Sequence, residues 1–219
     1  MSRYPRNWAG LTGRQLSLNG IEPPPFSIDP LFFAIYVETP AAAKMMQVAK
    51  RFKDKGGLKC KLMEPERLHV SLYSLGNYYG PRHPVLVRAS EAAAAVRFTP
   101  FKVKFDEVIT FRGSPDNRPI VLCGDAGADA LVEFRNVLGT SMIRAGLNQR
   151  VSRSFTPHAT LLYATGEIPR ESVESIEWTV REFALVCSLY GLTQHVAIAR
   201  WKLNGERIYP ESSRKGHLN

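Results

Sequence analysis

Two short motifs place a hydroxyl side chain two residues after a histidine: His69 with Ser71, and His158 with Thr160. Each motif lies in an apolar run typical of a β-strand, residues 68–73 and 158–163. Because strand side chains alternate between the two faces of a sheet, each histidine and its hydroxyl project to the same side. One imidazole can take a proton from water while a second protonates a departing oxygen, and the hydroxyls can hold a phosphate. The motifs therefore predict phosphodiester chemistry that needs no metal ion.

A single histidine followed two residues later by serine or threonine carries little information by itself. Here both motifs lie in strand-like runs, both follow a proline-containing turn, and together they divide the chain into two comparable halves. These features favour a paired catalytic site. The alternative is a pair of half-buried histidines on sheet faces, each hydrogen-bonded to a neighbour.

The charge of the chain indicates a class of ligand. Its 219 residues carry a net charge of +9, which favours a polyanionic partner because neutralising phosphates gives sequence-independent affinity. A solvated basic surface is the alternative. No run approaches the length of a transmembrane helix, and the N-terminal residues lack the continuous apolar stretch of a secretory signal, so we expect no membrane association.

The cysteines are odd in number and dispersed, at Cys60, Cys123 and Cys187, and no CxxC pair occurs. This spacing favours a reducing compartment, with the cytosol as the expectation, over a disulfide framework or a zinc site. We expect no cofactor, no metal and a monomer.

The sequence predicts an α+β fold with two mainly antiparallel sheets, because the chain ends in a hairpin and has no glycine-rich phosphate loop. Residues 1–29 are expected to form a flexible basic arm, 30–204 a single bilobal domain and 205–219 a polar tail. Predicted helices cover residues 40–55, 84–96 and 129–146. Predicted strands cover the two motif runs and residues 31–37, 101–111, 119–123, 182–190 and 195–203.

Two tyrosines follow the motifs. Tyr73 comes two residues after Ser71, so it is expected to share the motif face and to stack on a base, with ordinary sheet packing as the alternative. Tyr163 has the opposite parity from Thr160, so substrate contact would require a bulge or a strand end. The remaining histidines lack a hydroxyl two residues on; we interpret His83 and His217 as surface residues and His195 as a strand or turn residue. Lysines 59 and 61 are expected on a solvated edge, with an RNA path as the alternative.

Residues 69–72, followed by Leu75 and Gly76, resemble the first motif of the two-histidine (2H) phosphoesterase superfamily, in its bacterial 2′-5′ RNA ligase-like (LigT-like) branch. Residues 157–162 resemble the second motif, including the proline before the histidine, and residues 118–122 resemble the strand between them. Two positions depart from the family pattern. Ser71 stands where threonine is commoner, which keeps the hydroxyl, and Tyr163 stands where the family often has arginine.

The resemblance implies a two-lobed fold with a central cleft, helices packed outside, and hydrolysis of RNA 2′,3′-cyclic phosphate ends to 2′-phosphomonoesters. It also implies a reverse reaction that joins RNA ends through a 2′,5′ bond. His69 and His158 would be catalytic, and Ser71, Thr160, Tyr73 and Tyr163 would contact substrate. From the sequence we take His69 as the acid and His158 as the base, which predicts a bell-shaped pH–rate profile.

Three alternatives stay open at this point. The same catalytic groups could act on a nucleotide-sized substrate, such as ADP-ribose cyclic phosphate or 2′,5′-oligoadenylate, which needs no basic track and would show little salt dependence. The chain could be a non-catalytic RNA-binding module, although both intact histidines count against that. Metal-dependent hydrolysis would be abolished by chelators, and the sequence offers no metal cluster.

Overall fold

The computed structural model describes residues 29–56, 59–78, 84–124, 127–152, 154–189 and 194–205. The predicted arm, except its last residue, and the predicted tail, except its first, lie outside the described residues. So do His83, His217 and the predicted hairpin turn at residues 191–193.

The described residues form three α-helices and nine β-strands. The helices are α1 (Thr39–Gly56), α2 (Pro84–Ala94) and α3 (Asp129–Arg144). The strands are β1 (Asp29–Tyr36), β2 (Cys60–Leu62), β3 (His69–Tyr78), β4 (Phe101–Thr110), β5 (Arg118–Cys123), β6 (His158–Ala164), β7 (Glu171–Val180), β8 (Glu182–Leu189) and β9 (Gln194–Lys202). Single 3-10 turns cover Pro65–Arg67 and Asn148–Arg150.

The strands form two sheets, each with one motif strand. The four-stranded sheet has the order β3-β1-β8-β9, and the five-stranded sheet has the order β2-β6-β5-β4-β7. Every recorded pairing is antiparallel. This confirms the predicted α+β class with antiparallel sheets. The first motif lies on an edge strand, β3, and the second on an inner strand, β6.

Helix α1 forms because its apolar residues recur at intervals of three and four. Met45, Ala49 and Phe52 are buried, and Lys50, Arg51 and the other charged residues of this helix are on its exposed face. Burying a methionine or phenylalanine side chain stabilises the fold by about 1.5–3 kcal/mol, so this face holds the helix against the core.

Helix α3 contacts aromatic residues of both sheets through one buried side chain. The ring of Phe134 packs against Phe101 of β4 and against Phe183 of β8, at centroid distances of 5.4 and 5.2 Å. Because β4 and β8 belong to different sheets, this aromatic cluster holds the two motif-bearing sheets together.

Two strands were missed by the sequence prediction. Strand β2 has three residues, too few to show alternation. Strand β7 has apolar residues at positions 173, 176, 178 and 180, and the spacing of three breaks the period of two. The structure shows why: the pairing of β7 with β4 shifts between Phe105 and Glu107, so β7 is irregular at that point.

Candidate active site

The first motif strand carries a β-bulge directly after its hydroxyl. In the pairing of β1 with β3, Ala34 lies opposite Ser71 and the next residue towards the N-terminus, Phe33, lies opposite Tyr73, so Leu72 is an extra residue. The bulge resets the alternation. His69, Ser71 and then Ser74, rather than Tyr73, share one face, and Tyr36, Ala34 and Phe32 lie opposite them on β1.

The second motif strand repeats this geometry. In the pairing of β5 with β6, Val121 lies opposite Thr160 and Ile120 lies opposite Leu162, so Leu161 is the extra residue. His158, Thr160 and Tyr163 lie opposite Cys123, Val121 and Pro119, which alternate along β5. The two motifs therefore present equivalent faces: a histidine, a hydroxyl two residues later, and a third position five residues after the histidine.

The two motif strands, β3 and β6, are in contact with each other although they belong to different sheets. Each histidine is partly buried, and its Nδ1 is hydrogen-bonded to a backbone carbonyl two residues earlier. His69 Nδ1 lies 2.6 Å from the Arg67 carbonyl oxygen, and His158 Nδ1 lies 2.7 Å from that of Thr156. A carbonyl only accepts, so Nδ1 carries the proton in both rings, and Nε2 of each neutral ring is the free acid–base atom.

The surroundings of the two histidines lower both pKa values. Burial lowers the pKa of His158 below its usual range. Burial lowers the pKa of His69 too, and the positive charges of Arg67 and His158 lower it further. Both imidazoles are therefore shifted towards the neutral form, and the charge of Arg67 contributes to the shift of His69.

The hydroxyls and the floor of the four-stranded sheet complete the site. Ser71 is exposed and Thr160 is partly exposed on the faces that carry the histidines. Between β3 and β9 the floor is a small apolar cluster of Ala34, Ala184 and Val186. Ala34 lies opposite Ser71 in the pairing of β1 with β3, so this apolar surface adjoins the first hydroxyl.

Tyr73 does not share the motif face, and this expectation from simple alternation is wrong. The Leu72 bulge turns its side chain into the core, where it is 3% exposed and donates a hydrogen bond of 3.1 Å to the Arg135 carbonyl oxygen of α3. Helix α3 can approach so closely because residue 139 is glycine; a Cβ there would lie 2.4 Å from the Tyr73 hydroxyl oxygen.

Tyr163 lies on the same side of β6 as His158 and Thr160. The Leu161 bulge shifts the alternation of side chains by one residue, as substrate contact by Tyr163 requires. It is partly exposed and lies opposite Lys61 of β2, with Lys59 just before that strand. Both lysines are exposed at the edge of the five-stranded sheet, as expected for a solvated edge.

Sequence reasoning missed two residues beside the first motif. The His195 ring on β9 lies 5.0 Å from the His69 ring, and its Nε2 is 3.3 Å from Nη2 of Arg67. The curl of the sheet brings the two edge strands together over Phe32, whose ring contacts both imidazoles. Neither residue belongs to a motif, and no local pattern marks an approach between residues 128 positions apart.

The comparisons with known proteins agree with this geometry. The family model described as "2'-5' RNA ligase superfamily" matches residues 38–189, a stretch that contains both histidine motifs. The chain belongs to the 2′-5′ RNA ligase superfamily. It is a LigT-like 2H phosphoesterase, as the sequence resemblance indicated.

Individual members of the superfamily resemble the chain over most of its length. A curated protein of Archaeoglobus fulgidus named "RNA 2',3'-cyclic phosphodiesterase" is 28% identical over 144 residues, which are 66% of this chain and 75% of that protein. Among solved structures, apo LigT of E. coli matches with a TM-score of 0.61 and 24% identity, covering 80% of this chain and 98% of that one. TT0787 of Thermus thermophilus matches with a TM-score of 0.65 and 20% identity, covering 81% and 100%. These structural matches confirm the two-lobed fold.

Arg135 of α3 forms hydrogen bonds to the residue after the first motif and to the segment before the second. Its Nε donates to the carbonyl oxygen of Leu72, the bulged residue after the first motif, at 3.0 Å. Its Nη2 donates to the carbonyl oxygen and the hydroxyl of Ser152, on the approach to the second motif, both at 2.9 Å. Arg135 is 4% exposed, and its guanidinium packs against the rings of Tyr73 and Phe155. Arg135 therefore joins the first motif strand to the segment before the second through hydrogen bonds.

Two kinds of feature are absent from the described residues. No group of three or more histidine, cysteine, aspartate or glutamate side chains is arranged to hold a metal ion within that part of the chain. None of the helices described above combines the length and apolar character needed to cross a membrane.

Proposed function

We propose that this protein hydrolyses the 2′,3′-cyclic phosphate end of RNA to a 2′-phosphomonoester by acid–base catalysis between His69 and His158. The observation that carries this proposal is the paired geometry. Two imidazoles, each with Nδ1 bound to a carbonyl and Nε2 free, lie on contacting strands with a hydroxyl beside each. The name of the Archaeoglobus fulgidus relative and the net charge of +9 support RNA as the substrate class.

In this reaction a water oxygen attacks the phosphorus, and the bond between phosphorus and the ribose 3′ oxygen breaks. The base takes a proton from the water, and the acid gives a proton to the 3′ oxygen, so the phosphate stays on the 2′ oxygen. We assign His69 as the base, because the positive charges near it favour its neutral form, and His158 as the acid. This reverses the roles that the sequence suggested.

The hydroxyls of Ser71 and Thr160 are placed to donate hydrogen bonds to the non-bridging oxygens of the phosphate. Negative charge on these oxygens grows in the transition state, so donors fixed on strands stabilise it more than they stabilise the ground state. Joining RNA ends is a second use of the same groups. A 5′ hydroxyl would replace water as the attacking group and leave a 2′,5′ bond.

The test is an assay of the purified chain, with EDTA present, on a short RNA that ends in a 2′,3′-cyclic phosphate. Wild type, His69→Ala and His158→Ala are compared, and the position of the product phosphate is identified. Conversion to a 2′-phosphate by wild type alone supports the proposal. A 3′-phosphate product contradicts the assigned bond cleavage, and equal activity in the variants contradicts the site.

The same assay separates the substrate classes. It is repeated with ADP-ribose cyclic phosphate and with 2′,5′-oligoadenylate, at several salt concentrations. RNA as the substrate predicts a KM that rises steeply with salt, because several phosphates are neutralised on binding. A preference for a nucleotide-sized substrate with little salt dependence would replace RNA in the proposal while keeping the two histidines.

A further inference from the structure

Arg67 is a partly buried cation next to the catalytic pair. Its Nη2 contacts the His195 ring, and its backbone carbonyl holds His69. None of the carboxylates in the described part of the chain lies within ion-pairing distance of its guanidinium. Its Nε is buried and has no hydrogen-bond partner among the described residues. A guanidinium in this situation has donors available for an anion.

His195 presents a second buried donor at the same place. Arginine only donates, so the contact of 3.3 Å makes His195 Nε2 the acceptor and places the ring proton on Nδ1. Burial, with the charges of His69 and Arg67, lowers the pKa of His195 to about 4, so the ring is neutral at physiological pH. Its Nδ1 is buried and, like Arg67 Nε, has no partner among the described residues.

Buried donors without acceptors are uncommon in folded proteins, because an unpaired polar group keeps its full desolvation cost. Two such donors at one place, one of them on a cation, therefore indicate an anionic ligand. Both donors lie beside the first histidine: the His195 ring is 5.0 Å from the His69 ring, and Arg67 contacts the His195 ring.

A groove leads away from this pair. Its volume is about 610 Å³, and its lining includes His195 and Tyr36 with the charged residues Lys50, Glu66 and Arg200. The Tyr36 ring lies 6.3 Å from the His69 ring, and the Arg200 guanidinium lies 5.2 Å from the Tyr36 ring centroid. A volume of this size accommodates one nucleotide, with an aromatic surface for a base and cations for its phosphate.

We propose that Arg67 and His195 bind the internucleotide phosphate on the 5′ side of the reacting nucleotide, and that the groove at Tyr36 accepts the penultimate nucleotide. The proposal rests on the proposed function and narrows its substrate: the enzyme acts on chains of at least two nucleotides in preference to a mononucleotide. The pair is a specificity determinant, because its ligand is absent from a mononucleotide substrate.

The test compares kcat/KM for adenosine 2′,3′-cyclic phosphate and for the dinucleotide ApA ending in a 2′,3′-cyclic phosphate. The ratio of the two values is measured for wild type, Arg67→Met and His195→Leu. Arg170→Met is the matched control, because Arg170 is an exposed arginine that pairs with Glu107 away from the site. Both substrates are measured on the same variant, so any change in the acid–base groups affects both kcat/KM values and cancels in their ratio.

We expect wild type to favour the dinucleotide by about tenfold or more, since hydrogen bonds to a charged group contribute that much. Arg67→Met is expected to remove most of this preference, His195→Leu part of it, and Arg170→Met none. A preference that is absent from wild type, or is unchanged in Arg67→Met, overturns the proposal.

A binding measurement separates this proposal from the proposed function. Calorimetry with 2′-AMP and with ApA carrying a terminal 2′-phosphate needs no turnover. If neither cyclic substrate is hydrolysed but the dinucleotide still binds more tightly in an Arg67-dependent manner, the reaction is wrong and the subsite stands. If both substrates are hydrolysed and both ligands bind equally, the reaction stands and the subsite is wrong.

Discussion

The two histidine motifs have the same backbone geometry and different electrostatic surroundings. Residues 69–75 and 158–164 share the same order of buried and accessible positions, with a bulge at the fourth residue in each. Each histidine binds the carbonyl two residues before it. Around His69, however, lie the cation Arg67 and the imidazole of His195, whereas the ring of Phe111 packs against His158, at 4.6 Å.

This difference shows what a motif specifies and what it leaves to its surroundings. The strand, the bulge and the carbonyl fix where each imidazole lies and which nitrogen is free. Whether that imidazole starts as base or acid depends on the charges that other elements bring to it. Because the geometry is shared, exchanging roles needs only a change in surroundings, and the following predictions test each part of this comparison.

The largest expected loss of activity comes from removing either histidine, the feature that both motifs share. His69→Ala and His158→Ala should each lower kcat by about 10²–10⁴, because each removes one proton transfer. The double variant should be little worse than either single variant, since the two groups act in one step. Single-turnover rates check this, with thermal unfolding of each variant as the control for folding. Losses that multiply in the double variant would show that the histidines act independently.

The next effect concerns the hydroxyls. Ser71→Ala and Thr160→Val should each lower kcat by about 10²–10³, the usual cost of removing a donor to a developing oxyanion. Ser71→Thr and Thr160→Ser keep the hydroxyl and serve as matched controls that should retain most of the activity. If the changes raise KM and leave kcat intact, the hydroxyls bind the ground state and have no special role in the transition state.

The shared geometry also explains which parts of the site could be predicted. The family, the fold class and the pairing of each histidine with its hydroxyl follow from local patterns, because period-two alternation holds between His69 and Ser71 and between His158 and Thr160. In both strands this alternation ends at the bulge directly after the hydroxyl residue, at Leu72 and at Leu161. A bulge is set by pairing with a neighbouring strand, so the sequence around Tyr73 contains no signal that it turns into the core.

Long-range features were beyond prediction for the same reason. Arg67 and His195 meet because the edges of a curled sheet approach each other, and the irregular strand β7 is recognisable only from its pairing with β4. The acid and base roles stay a prediction, because they depend on the charge that Arg67 brings to His69 through space, which no local pattern shows. The domain bounds and the cytosolic, monomeric state remain predictions.

A smaller effect concerns the close contact between Tyr73 and helix α3 at the first bulge. Tyr73 lies against Gly139, whereas the equivalent residue of the second motif is Leu162. Gly139→Ala should lower the free energy of unfolding by about 1–3 kcal/mol, because the new Cβ would lie 2.4 Å from the Tyr73 hydroxyl oxygen. This outweighs the helix propensity gained on replacing glycine, about 0.8–1.0 kcal/mol.

Tyr73→Phe removes the clashing oxygen and tests the cause. Denaturant unfolding of the two single variants and the double variant gives a coupling energy, and we expect the double variant to be more stable than the sum of the single effects predicts. Additive effects would mean that the methyl group added at position 139 is accommodated elsewhere, and the first bulge would then need no more support than the second.

The smallest change tests the difference between the motifs directly. Because burial lowers both catalytic pKa values, the bell-shaped profile of kcat/KM should have its maximum below pH 6.5, the usual histidine value. Activity requires neutral His69 in our assignment, so the acid limb reports the pKa of His69. Arg67 lowers that pKa, and Arg67→Met should therefore move the acid limb to higher pH while the alkaline limb stays in place. Movement of the alkaline limb alone would make His69 the acid and return both roles to those suggested by the sequence. Arg170→Met is the control for a general loss of positive charge, and it should move neither limb. A general charge effect would move both limbs, whereas Arg67 acts on His69 alone in our assignment.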